Sequence, residues 1–169
     1  MLTRVGPGNS GYNYLPEYMD FDCTMHLAAN ATLEQGQALF RDVTAVPSSA
    51  GADTVVLPND AKAGSTFGVY QGPAIVNPHG DGPLKVALQV RRYGFGVVTV
   101  HAPAKDVRVG SHLAKGAGIQ AVALDPVDAF VKGQHIGTAV TTGAHNAVGD
   151  VLLAIDGPVK VVNCLIDCS

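Results

Sequence analysis

The sequence contains no tryptophan, few charges and no long apolar run, and each lack removes a class of function. Sugar platforms usually expose large aromatic faces, tryptophan above all, so its absence weighs against a glycan-binding surface. Charged residues make up only 15%, with a formal net charge of −3 and 11 scattered Lys and Arg residues. That balance offers no basic stripe to a phosphate backbone, so no nucleic-acid partner is expected. No apolar run approaches the roughly 18 residues that span a bilayer. The opening MLTRVGPGNSGYNY has no apolar signal-peptide core. The expectation is a soluble chain made in a cytoplasm, without a membrane partner.

Cysteine is scarce and odd in number, at positions 23, 164 and 168. A disulfide framework is therefore not expected. Cys164 and Cys168 have no matching Cys/His pair nearby, so they are read as buried thiols rather than metal ligands. Catalytic signatures are missing as well: no G-x-S-x-G elbow, no G-x-x-x-x-G-K-[ST] phosphate loop and no H-E-x-x-H zinc helix occurs. The histidines at 26, 79, 101, 112, 135 and 145 never fall at i, i+2 or i, i+4 spacing. His79 and Asp81 read as a solvated turn, and Asp106, Asp125, Asp128 and Asp150 as turns and caps. The reading is a non-enzyme with no cofactor and no metal.

What is present is turn chemistry and alternation. Three stretches repeat one pattern, apolar-x-x-Gly-x-x-apolar: Leu33-Gly36-Leu39, Val107-Gly110-Leu113 and Phe130-Gly133-Ile136. Glycine takes a positive φ without a Cβ clash, so Gly36, Gly110 and Gly133 are read as structural turns with inward apolar flanks. His112 and His135 hold the same place in two copies, one residue before the inward position, which structural equivalence explains. Leu84–Arg91 alternates apolar and polar residues, as does Phe95–His101, and the two are read as a hairpin around Arg92-Tyr93-Gly94.

Two short strands are read within Cys23–Val46, around Leu39-Phe40 and on to Val43 and Val46, and further ones at Thr54–Leu57, Phe67–Tyr70, Val107–Val109, Ile119–Leu124, Ile136–Val140, Val151–Ile155 and Val159–Ile166. A single helical turn is read at Asp125–Asp128, and residues 72–83 are read as a long loop. The fold class is all-β, a compact β-barrel or β-sandwich of short antiparallel strands.

Residues 1–21 carry Gly6, Pro7, Gly8, Gly11 and Pro16 and show no apolar period. They read as an extended N-terminal arm, with residues 22–169 as the barrel-like domain. Four of the chain's aromatics, Tyr12, Tyr14, Tyr18 and Phe21, fall in this arm. A solvating tail is not built that way, so these four are read as anchors, either on the chain's own domain or on a partner. A sparsely charged, apolar chain also suggests that a partner covers part of its surface.

From Ala31 onward the chain reads ATLEQGQALF, FGVYQG, VALQVRRYGFGVVTV, DVRVGSHLA with GIQAVAL, and IGTAVTTGAHNAVGDVLLAI. In motif and order this resembles the decoration, or cement, proteins of tailed-phage heads. The resemblance implies a virion surface protein, commonly a homotrimer, that binds the major capsid protein where subunits meet and reinforces the shell. It brings no catalytic residues. Residues 1–21 and the 72–83 loop lie outside the pattern. The alternative reading is a carbohydrate-binding β-module of a phage fibre or surface protein.

Overall fold

A computed structural model describes residues 18–45, 53–78, 80–101, 105–115, 122–124, 133–141, 148–155 and 160–168. The strands are β1 (Tyr18–Leu27), β2 (Thr32–Leu33), β3 (Ala38–Asp42), β4 (Asp53–Val56), β5 (Ala63–Tyr70), β6 (Ile75–Val76) and β7 (Leu84–Val100). After them come β8 (Val107–Arg108), β9 (His112–Ala114), β10 (Val122–Leu124), β11 (His135–Ala139), β12 (Val151–Leu153) and β13 (Lys160–Asp167). No helix occurs among the described residues, and the fold is all-β. The single helical turn expected at Asp125–Asp128 lies outside them.

The main sheet runs β1-β4-β3-β5-β7-β13-β11-β9-β10, and β1 also pairs with β7. That extra pairing closes β1, β4, β3, β5 and β7 into a five-stranded barrel. Its core draws on alternate residues of these strands, among them Cys23, Met25, Leu39, Val55, Phe67, Leu88 and Val90. A second core gathers Val98 and Val100 of β7, Leu113, Ile136, Val162, Cys164 and Ile166, together with Ala38, Phe40 and Val69 from the back of the barrel. Neighbouring side chains along a strand point to opposite faces, so β3 supplies Leu39 to one core and Phe40 to the other.

Three expectations need correction. The hairpin read at Leu84–His101 is one continuous strand, β7, with no reversal. Its alternation does not change phase: Leu88, Val90, Val98 and Val100 are all buried even-numbered positions. Gly94, at φ 106, marks the place where the partner changes from β1 to β13, so each half of β7 finds a distant strand instead of the other half. The arm was read as extending to residue 21, yet β1 begins at Tyr18. Tyr18 and Phe21 sit opposite Gly94 and Val90 in the β1–β7 ladder, which satisfies their backbone. The 72–83 loop also contains a strand, β6, that pairs with β2.

Strands β2–β7 and β8–β13 repeat one plan. In each unit the first strand pairs with the fifth, the second with the third and the fourth, and the fourth with the sixth. The hydrogen bonds of the glycine turns repeat too. Gly36 N donates to Tyr70 O (2.7 Å) and Tyr70 N to Gln37 O (2.9 Å); Gly110 N donates to Ala139 O (2.7 Å) and Ala139 N to Ser111 O (2.8 Å). Tyr70 then faces Val90 as Ala139 faces Cys164.

Closure distinguishes the units. The first is closed by β1, which takes β4 as a parallel neighbour. In the second, the matching edge of β7 is already occupied. The Gln71 carboxamide accepts from Val97 N (2.9 Å) and donates to Val97 O (2.9 Å), and Thr99 N donates to Gly36 O (2.9 Å). Among the described residues, β10 pairs with β9 alone.

Candidate interaction surface

Tyr18 and Phe21 are held by two arginines of β7. The Arg91 guanidinium lies 4.1 Å from the Tyr18 ring centroid, and that of Arg92 lies 5.1 Å from the Phe21 ring. Arg91 Nε also donates to Asp20 Oδ1 (3.0 Å), and Nη1 to Phe95 O (2.7 Å). Arg92 Nη2 donates to Cys168 O (3.1 Å), tying the end of β13 to the same place. A guanidinium over an aromatic face contributes about 1 kcal/mol when partly desolvated, so these rings are fastened to the domain.

Strand order explains why this surface is where residues 1–17 join. β1 and β13 flank β7 at its bend: Met19 and Asp167 both lie opposite Tyr93, and Tyr18 and Ile166 both lie opposite Gly94. Past Gly94 the β7 backbone bonds Gln71 at Val97 and the Gly36 turn at Thr99. Around the junction Phe95 is 61% exposed and Phe21 36%. The surface is thus aromatic and guanidinium-rich, a composition favoured at interface centres. Tyr12 and Tyr14 lie outside the described residues.

Gly36, Gly110 and Gly133 have φ of 88°, 94° and 80°. Their surroundings differ. A Cβ on Gly36 would stand 2.8 Å from Thr99 Oγ1 and 3.0 Å from Thr99 N; on Gly133 it would stand 3.1 Å from Ser65 Cβ; on Gly110 it would meet only Val148, at 3.7 Å. The inward flanks Leu33, Leu39, Val107, Leu113 and Ile136 are buried, and Phe130 lies outside the described residues.

Beside the junction, a shallow cleft of about 390 Å³ is lined by Asp20, Tyr70, Gln71, Ile75, Gln89 and Arg91, among others. Its polar groups are engaged with one another. Asp20 pairs with Arg91, Gln89 Nε2 donates to Asp22 (3.0 Å), Gln71 holds Val97, and the Tyr70 hydroxyl donates to Pro73 O (2.7 Å). Within the 72–83 loop, buried Asn77 donates through Nδ2 to Leu27 O (3.0 Å), Ala28 O (3.1 Å) and Gly82 O (3.0 Å). His79 lies outside the described residues, and Asp81 is exposed.

The chain shows a match to one phage protein among solved structures, the crystal structure of head fiber gp8.5 N base in bacteriophage phi29. Identity is 14%, coverage is 89% of this chain and 97% of that chain, and the TM-score is 0.46. No family model and no curated protein matches the chain. A likeness of this size transfers no residue role.

The remaining chemistry-bearing residues are spread through the fold. His112 and His135 stand on neighbouring strands with ring centroids 5.7 Å apart; His135 Nδ1 lies 3.0 Å from Asp167 O, and His112 Nδ1 3.4 Å from Thr138 Oγ1. Among the described residues, no group of three or more His, Cys, Asp or Glu side chains is placed to hold a metal. Asp106 accepts from Ile155 N (2.8 Å) and Arg108 (3.0 Å), while the Asp150 carbonyl accepts from Val109 N (2.9 Å). Asp125 and Asp128 lie outside the described residues. All three cysteines are free and buried. Burial, reinforced by Asp53 and Asp22, pushes the Cys23 thiol up to about 12, and burial pushes Cys168 to about 12 against the opposing pull of Arg92. Cys164 is raised by burial too, so these thiols are poor nucleophiles at neutral pH.

The sequence reading missed Arg91, Arg92, Phe95 and Gln71 as parts of this surface. One signal was available: Arg91-Arg92 next to Tyr93 and Phe95 concentrates guanidinium and aromatic groups within five positions.

Proposed function

We propose that the chain is a structural protein of a phage particle, a cement protein that sits on the outer surface of the head. In this reading it binds the major capsid protein at subunit junctions as a homotrimer, residues 1–17 supplying anchors, and it performs no catalysis. The observation that carries the reading is the junction at Tyr18. There β1 and β13 flank β7, past Gly94 the β7 backbone bonds Gln71 at Val97 and Gly36 at Thr99, and the surrounding surface presents Phe21, Phe95, Arg91 and Arg92. A rigid double-core body with an aromatic junction suits a clamp on a repeating lattice, because each linked contact makes the next one intramolecular.

The test is co-sedimentation with empty heads of the major capsid protein, using the full chain and one lacking residues 1–17. The truncation starts at Tyr18 so that β1 is kept whole. The full chain is expected to bind and to raise the temperature at which heads rupture. Loss of Tyr12 and Tyr14, at about 2 kcal/mol each, is expected to weaken binding by about a thousandfold while the melting temperature holds. Failure of the full chain to bind would overturn the reading.

A further inference from the structure

The internal repeat shows what its glycine turn does when covered. In the first unit Gly36 is buried at the centre of its turn: it lies against the β7 edge, accepts from Thr99 N at 2.9 Å, and leaves no room for a Cβ. In the second unit the matching Gly110 turn has the same backbone bonds, yet it is exposed. The ribbon beside it, β8–β12, continues to the turn through Val109 N to Asp150 O (2.9 Å) and Gly149 N to Val109 O (3.0 Å). On that ribbon Val148 is 88% exposed, Ile155 53% and Val151 47%. Three open β-branched side chains within eight positions are unusual in a chain with so little charge.

We propose that this tip is the surface through which one copy of the chain contacts a second copy. The occupant follows from the repeat, since this turn's counterpart is covered by a strand of this same chain. The inference rests on the homo-oligomer reading above and adds the place of contact. It is independent of the aromatic junction at Tyr18, which is left for the capsid.

Light scattering on the full chain at tens of micromolar is the test, with Val148→Glu/Ile155→Glu, the single Val148→Glu, and Val43→Glu as a control. Val43 is 68% exposed but follows β3 in the first unit, where its neighbours are Lys62 and Gly64. The wild type is expected to be an oligomer, the double variant a folded monomer with association weakened at least about a hundredfold, the single variant intermediate, and the control unchanged. Melting curves establish folding, and Val148 is exposed enough for the single variant to be safe if the double one fails. A monomeric wild type would overturn the homo-oligomer reading and this inference with it. An oligomeric wild type whose folded tip variants keep their mass would overturn the tip alone, as would a control that dissociates equally.

Discussion

Two turns with one backbone conformation have opposite surroundings. Gly36 and Gly110 share a positive φ and the same pair of ladder bonds, but Gly36 is wedged against Thr99 while Gly110 faces solvent. A local motif therefore specifies the turn, and the unit that follows it specifies the burial. The same difference governs closure: β1 seals the first barrel, whereas Gln71 and the Gly36 turn occupy the edge that would seal the second.

The sharpest way to break this comparison is to substitute both glycines. Gly36→Val is expected to cost about 4 kcal/mol, combining a disfavoured φ with an overpacked contact. Gly133→Val should cost about 2 kcal/mol and Gly110→Val about 1 kcal/mol, mainly from φ. Urea unfolding measures all three. Equal losses at Gly36 and Gly110 would show that burial adds nothing to the turn.

Asn77 belongs to the first unit, where the two protons of its Nδ2 group are shared among three carbonyls. Asn77→Ala leaves buried Leu27 O and the part-buried Ala28 O and Gly82 O short of a donor and should cost about 2 kcal/mol. A loss below half of that would mean that water replaces the amide. Gln71→Ala frees both backbone groups of Val97 and should cost about 1–2 kcal/mol, with faster amide exchange at Val97. Unchanged exchange there would refute the account of why the second barrel stays open.

The smallest effect expected is alkaline. The buried thiols have native values raised well above the ordinary 9.0, with Cys23 and Cys168 near 12. A raised native value gives stability that is complete below pH 9 and declines as pH climbs from 9 towards 12, because only the unfolded chain ionises there. Burial raises Tyr70 in the same sense, above its ordinary 10.0. Stability measured from pH 8 to 11 should fall, and the fall should be shallower in Cys23→Ala. A slope untouched by that change would mean that Cys23 is not protected in the native barrel.

Much of the barrel was legible in the residues because alternation and glycine spacing are local. The strand positions around Phe67–Tyr70, Ile136–Ala139 and Val162–Ile166 follow from apolar runs between turn formers. The hairpin at Arg92-Tyr93-Gly94 was misread because a glycine that lets a strand bend resembles a glycine that lets it reverse, and only distant partners tell them apart. Tyr18 and Phe21 looked like part of an arm for a similar reason, since their strand exists through β7, far along the chain. The repeat of two units was hidden because the matching positions share spacing rather than identity: Leu33, Gly36 and Leu39 answer to Val107, Gly110 and Leu113. The aromatic junction was half visible, its tyrosines plain in the sequence and its arginines apparent only once β1 lay beside β7.

Strand β7 is the wall between the two cores, and it acquires its neighbours at very different times. β1 precedes it on the chain, so the first barrel holds all of its strands once Val100 has been made. β13 begins at Lys160, 60 residues after β7 ends at Val100, and until it arrives Val98 and Val100 have no ladder on the edge that β13 fills. Pairings so distant in sequence form slowly. We therefore expect a nascent chain ending after residue 101 to protect the amides of β1 and the first half of β7, and to leave Val98 and Val100 open to exchange. The second half of the molecule is then a template-directed addition, laid onto a strand that the first half has already anchored.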